Sequence, residues 1–204
     1  MRKEIVPRFN APQRVIHWAV GISFSGLLLS GLALAYPSLY WLTLLFGGGA
    51  STRILHPWIG VVYTVAIAAM AVSWAHDMFL DRNDRRWLTQ VPAYATHRSE
   101  KVPDAGKYNA GQKLYFWISL VLCVVFLVSG VPLWFPASFG AGLLRVMRLL
   151  HFLATVAGGL LLLMHVYLST IAFPGTARGM VYGGVGRKWA LLHHAAWLRD
   201  QERD

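Results

Sequence analysis

Four histidines in this sequence occupy positions where a polar ring needs a reason. His151 and His165 interrupt an apolar run over residues 149–173, LLHFLATVAGGLLLLMHVYLSTIAF, that contains no Asp, Glu, Lys or Arg. The run exceeds the roughly 20 residues a helix needs to cross a bilayer. On a helix, two positions fourteen apart lie roughly 21 Å from each other along the axis and within roughly 40° around it. One helix therefore presents two imidazoles on one face at two depths. A polar ring in hydrocarbon is costly and is functional by default. His17, near the start of a second apolar stretch, and His56, opening a third with HPWIG, complete the set. Two neutral imidazoles at one depth suit the two axial positions of a haem iron. That set leaves no open coordination site and favours electron transfer over oxygen chemistry.

The elements that must position these rings are membrane helices. Of 204 residues 56% are hydrophobic, and the mean hydropathy is +0.46, too apolar for an ordinary soluble domain. Four spans are predicted, over about 15–36, 56–79, 113–135 and 149–173, as an all-α membrane bundle forming a single domain over 1–204. The tail GRKWALLHHAAWLRDQERD repeats Trp189, Leu192, Ala196 and Trp197 at helical spacing, which predicts a short interfacial amphipathic helix. The basic start and Ala33-Leu34-Ala35 resemble a secretory signal, but the run is long for one and cleavage would discard His17. The one cysteine, Cys123, excludes an internal disulfide framework and a C-x-x-C-H haem attachment. It reads as a small buried hydrophobe.

The formal net charge of +10 is distributed along the chain in blocks. The N-terminus, the stretch between spans two and three and the tail hold 16 of the 19 Lys and Arg, against 3 in the other two loops. The positive-inside rule then places both termini in the cytoplasm, and no nucleic acid is needed to explain the charge. His56 and His151 fall near the outer face, His17 and His165 near the inner one. The four rings sort into two depth-matched pairs, one haem b each. Gly21, Gly60 and Gly158-Gly159 are expected to admit a flat macrocycle, and Arg14, Arg53 and Arg148 are candidate partners for its propionates. Trp18, Trp41, Trp58, Trp117 and Trp134 fit an interfacial belt. His76, His97, His193 and His194 read as solvated or facing lipid headgroups.

A further polar motif, Gly106-Lys107-Tyr108-Asn109-Ala110-Gly111-Gln112-Lys113, precedes span three on the cytoplasmic side. Lys107, Asn109, Gly111 and Gln112, with His165, could receive a quinone headgroup. Equally, the motif reads as a turn and helix start with Asn109 as N-cap.

RVIHW around His17, RILHPWIG around His56, DAGKYNAGQK before span three and HFLATVAGGLLLLMHVYL in span four together resemble the gamma subunits, cytochrome b556, of respiratory membrane-bound formate dehydrogenases. The tail RGMVYGGVGRKWALLHHAAWL is similar as well. The resemblance covers nearly the whole chain. It implies an outer haem b on His56 and His151 and an inner haem b on His17 and His165. It also implies quinone reduction (menaquinone, or ubiquinone as acceptor) beside Asn109, Gln112 and His165. The partners it implies are an iron–sulfur beta subunit and a molybdenum or tungsten alpha subunit that oxidises formate, assembled on the bacterial inner membrane. Three alternatives stay open at this point: a di-haem cytochrome b of a nickel–iron hydrogenase, a stand-alone cytochrome b561-like oxidoreductase, and a haem-free anchor or transporter.

Overall fold

A computed structural model describes residues 4–95 and 103–203. Arg2, Lys3 and His97 lie outside the described residues. In chain order the elements are β1 (Ile5–Pro7), α1 (Ala11–Ala35), α2 (Gly49–Trp74), α3 (Arg82–Thr89), α4 (Val91–Ala95), α5 (Ala110–Trp134), α6 (Ala141–Tyr167), α7 (Arg178–Tyr182), β2 (Gly184–Gly186), α8 (Arg187–His193) and α9 (Ala195–Gln201). Helices α1, α2, α5 and α6 are each long and apolar enough to cross a membrane. Along their middle stretches the outward side chains are largely apolar: Val72 is 87% exposed and Leu163 67%. Such surfaces are costly in water and fit lipid.

The predicted spans exist, but all four helices begin earlier than expected, α1 at Ala11 and α5 at Ala110 by a few residues and the other two by more. Helix α2 starts at Gly49 rather than 56, and α6 at Ala141 rather than 149. Hydropathy marks where side chains turn apolar, whereas the helical ladder begins wherever backbone groups first pair. Gly47 and Gly48, both at positive φ, end a 3₁₀ turn over Pro37–Phe46 and allow the sharp reversal into α2. His56 and His151 thus lie well inside helices rather than at their first turns.

Chain contacts divide the molecule into two compact units. The first comprises residues 15–72 and 119–163. Its core joins Tyr63, Ile67 and Cys123 with Val20, Phe24, Leu27, Met70 and Leu120. Cys123 is a buried free thiol there, as expected. A Cβ on Gly158 would stand 2.8 Å from Phe24, so this glycine admits an aromatic ring between helices. Gly60 and Gly159 face Leu27 and Leu28. These three glycines therefore serve helix packing at the side chains they meet.

The second unit comprises residues 1–14, 73–118 and 164–204. The expectation of an all-α chain missed a small antiparallel pairing in it: Ile5 opposite Gly186, Val6 opposite Val185 and Pro7 opposite Gly184. Three residues per strand are too few for any alternation pattern to show. Val185 packs with Ala190, Trp197 and Leu198. The tail is helical as predicted, but in two pieces, because the backbone leaves the helix at His194 with φ −146° and ψ 50°. Leu192 stays exposed while Trp197 is buried.

Arg8 sits at the centre of this unit, 6% exposed. Its Nη2 donates to the Lys107 carbonyl at 2.6 Å and meets His194 Nε2 at 3.0 Å. Its guanidinium lies 4.8 Å from the Trp189 ring and 5.2 Å from Trp197. Arg199 pairs with Asp104 at 2.7 Å. The N-terminal segment, the middle stretch and the tail therefore meet one another, and these are the three segments that charge assigned to one side of the membrane.

His194 corrects the reading of it as solvated. It is 1% exposed, and its Nδ1 donates to the Gly106 carbonyl at 2.6 Å. Nε2 then carries the lone pair that accepts from Arg8. Burial, and next the Arg8 cation, hold its pKa well below the ordinary value. The folded ring stays neutral while the unfolded ring takes a proton below about pH 6.5. Its contribution to stability is therefore whole above that pH and is lost as pH falls toward the folded value. Melting temperature should drop on acidification from pH 7 to pH 5, and His194→Asn should make that slope shallower. Identical slopes for the two proteins would contradict the assignment.

Candidate functional site

The first unit brings two of the four histidines together. The rings of His56 on α2 and His151 on α6 have centroids 6.3 Å apart and planes 64° from parallel. Each ring is held from behind. Ser30 Oγ on α1 lies 2.8 Å from His56 Nδ1, and Ser129 Oγ on α5 lies 2.9 Å from His151 Nδ1. Both serines are fully buried. Both hydroxyls also donate to the carbonyl four residues back, Ser30 to Gly26 at 2.7 Å and Ser129 to Val125 at 2.6 Å. A hydroxyl has one hydrogen, so each oxygen is left to accept from Nδ1–H. That puts the lone pair of both rings on Nε2.

The residue after each serine is glycine. A Cβ on Gly31 would stand 3.3 Å from His56 Cε1, and one on Gly130 would stand 3.4 Å from His151 Cε1. A side chain at either position would press on the ring, so each glycine gives its histidine room beside the neighbouring helix. Phe126 closes one flank of His151, ring centroids 5.3 Å apart. The separation of this pair fits two imidazoles bound to one metal ion. Two metal–imidazole bonds of about 2 Å, added to the half-widths of the two rings, span close to the observed separation.

His17 belongs to the first unit and His165 to the second. His17 makes an edge contact with Trp18, centroids 5.5 Å apart. His165 stacks on Tyr115 of α5, centroids 4.7 Å apart and planes 22° from parallel. Tyr115 was not singled out from the sequence. It stands three residues after Gln112, hence on the same face of α5 one turn on.

The N-terminus of α5 holds the polar motif. The Asn109 backbone N–H donates to Gln112 Oε1 and the Gln112 N–H donates to Asn109 Oδ1, both at 3.0 Å. This is a capping box, so the helix-start reading of Asn109 is correct. It engages only the two amide oxygens. The two amide NH₂ groups are what Asn109 and Gln112 can offer a ligand. Gly111 keeps this turn open, since a Cβ there would stand 3.3 Å from Asn109 Oδ1 and 3.5 Å from Trp87. Lys107 Nζ lies over the rings of Phe9 and Tyr108.

Below the motif a polar cavity of about 150 Å³ is lined by Asp77, Asp81, Asn83, Asp84, Gly106, Lys107, Tyr108 and Lys113. Lys113 is buried and pairs with Asp84 at 2.6 Å and Asp81 at 3.7 Å. Tyr108 accepts from Trp74 Nε1 at 2.6 Å, and burial raises its pKa. His76 is exposed and meets Asp77 at 3.1 Å, as expected of a solvated ring.

The three candidate arginines share a signal that the sequence reading passed over. Arg14, Arg53 and Arg148 each precede a candidate ligand by three residues, as Arg-x-x-His. In a helix this places each guanidinium one turn from its histidine, toward the helix N-terminus. Arg53 and Arg148 are exposed. Arg14 donates to the carbonyls of Met180 at 3.3 Å and Val181 at 2.6 Å.

Comparison with known proteins gives a consistent set of likenesses. Residues 8–183 match the family model described as prokaryotic cytochrome b561. The chain is 36% identical over 205 residues to the cytochrome b556(Fdn) subunit of the nitrate-inducible formate dehydrogenase of Escherichia coli K12, covering 99% of this chain and 94% of that one. It is 34% identical to the cytochrome b556(fdo) subunit of formate dehydrogenase from the same organism, covering 98% and 94%. It is 33% identical to the formate dehydrogenase cytochrome b556 subunit of Haemophilus influenzae, covering 95% and 82%.

Proposed function

This chain belongs to the prokaryotic cytochrome b561 family, as a multi-pass protein of the bacterial inner membrane, and we propose that it is the membrane cytochrome b subunit of a formate dehydrogenase. In this reading it carries electrons from an outer iron–sulfur subunit, through two b haems, to quinone near the cytoplasmic face. A molybdenum or tungsten subunit oxidises the formate. The observation that carries the reading is the His56–His151 pair: two imidazoles on facing helices, spaced for one iron, both with Nε2 available.

Haem, when bound, would supply one-electron transfer. His56 and His151 would hold the outer group, and His17 and His165 the inner one. Arg53 and Arg148, one turn from the outer ligands, would meet its propionates. Arg14 would serve the inner group with the donors its two carbonyl contacts leave over. Asn109 and Gln112 would donate their NH₂ groups to quinone carbonyl oxygens, beside Tyr115 and His165. The cavity by Asp77, Asp81 and Tyr108 gives protons an aqueous approach from the cytoplasm. The meeting of N-terminal segment, middle stretch and tail within one unit supports placing all three on that side.

A pyridine haemochrome assay on the purified chain should find two b haems per polypeptide, and formate should reduce both in the assembled complex. Folded protein that stays colourless when supplied with haem would overturn the reading. Haem that forms but is reduced only by another donor would assign the chain to a different dehydrogenase.

A further inference from the structure

The two rings of the outer pair are held by the same device, used twice. Ser30-Gly31 near the C-terminal end of α1 holds His56, and Ser129-Gly130 near the C-terminal end of α5 holds His151. In each case the serine oxygen takes Nδ1 and the glycine makes room for Cε1. We propose that Ser30 and Ser129 are positioning residues that lock His56 and His151 in the Nδ1–H tautomer and tune how strongly the pair donates to its metal. The proposal rests on the reading of these histidines as axial ligands.

The chemistry follows from the hydrogen-bond count. Each serine hydrogen is committed to a carbonyl within its own helix. Donating it sharpens the oxygen as an acceptor, because bonds in a chain polarise one another. The Nδ1–H group that donates to this oxygen leaves a more basic Nε2, the usual effect of an outer partner on a ligating histidine. A more basic ligand favours the more highly charged, oxidised iron. The serines therefore hold the outer centre's potential down. Serines inside membrane helices ordinarily need no explanation beyond their bond to the preceding turn. Here the additional contact to the histidine recurs at both rings with matching geometry.

The test is a spectroscopic redox titration of the haem-loaded chain and its Ser30→Ala, Ser129→Ala and double variants, with Ser→Thr at each site as the conservative control. The double alanine variant should shift the oxidised-to-reduced ratio of one haem toward reduced by roughly tenfold at fixed ambient potential. That corresponds to a rise of about 59 mV for one electron. The other haem should keep its potential, and the threonine variants should titrate like the parent. Loss of one haem from the alanine variants with retention in the threonine variants supports the same role. Unchanged or lowered potentials in the double alanine variant would overturn the proposal, as would equal loss of haem from the alanine and threonine variants. A parent chain that binds no haem refutes the ligand reading itself, and the haemochrome assay registers that before any titration.

Discussion

Replacing His56 with alanine should leave a chain that binds one b haem instead of two and that formate no longer reduces. His56 faces His151 at a ring separation that one metal can bridge, and a methyl group in its place cannot ligate. Second-sphere changes alone typically cost a metal site 10–100-fold, so loss of a ligand should abolish binding at that position. The inner haem would remain, held by His17 and His165. On the proposed route, in which an iron–sulfur partner delivers electrons to the outer position, formate-driven quinone reduction should fall by at least about 100-fold, while dithionite still reduces the surviving haem. His165→Ala makes the complementary case: one haem again, now reducible by formate, with quinone reduction lost. If formate reduces the remaining haem in His56→Ala but not in His165→Ala, the order of the two centres is reversed and the membrane orientation with it.

Asn109→Asp should slow quinone reduction by roughly tenfold or more while the haems still go reduced with formate and the melting temperature barely moves. The substitution is chosen because Asn109 has two roles in one side chain. Its Oδ1 caps α5 through the Gln112 N–H, and aspartate caps a helix as well as asparagine does. What aspartate lacks is the NH₂ donor. Loss of a hydrogen bond to a ligand costs about 1–3 kcal/mol when the partner is left unsatisfied, and the added negative charge disfavours a reduced quinone further. Asn109→Ala should instead lose the cap too, at about 1 kcal/mol of stability. Quinone turnover unaffected by Asn109→Asp would return the residue to capping alone.

The spans and the facing pair His56 and His151 were legible because each rests on a contrast the sequence displays. Four imidazoles stand out against apolar runs, and the runs are long. The helix starts at Gly49 and Ala141 were not legible, since the residues before the apolar stretch carry no cap that hydropathy could register. Ser30-Gly31 and Ser129-Gly130 escaped for the opposite reason: small residues are common in membrane helices, and only the geometry distinguishes these two pairs from the other glycines. Gly60 and Gly158, which the sequence suggested as room for a macrocycle, face Leu27 and Phe24. His194 was misread because its partner, Arg8, lies 186 residues away, a contact no local pattern reports. At Asn109 the sequence offered two readings, and the capping box satisfies one without excluding the other, because cap and ligand would use different atoms of the same amide.

The pairing of Ile5–Pro7 with Gly184–Gly186, and of Arg8 with His194, has a consequence in the order of synthesis. The N-terminal segment leaves the ribosome before α1 inserts, yet its strand partner and its buried histidine are made only after all four membrane helices. Domains and their parts generally form in the order in which they are made, and contacts between distant residues close slowly. Arg8 and the strand beside it must therefore wait, without their partners, until the last membrane helix has been made. Closure of this clasp therefore follows the synthesis of the last membrane helix. It brings the N-terminal segment and the tail together around the Lys107 carbonyl, next to the motif that caps α5, so this unit is completed only after all four membrane helices have been made.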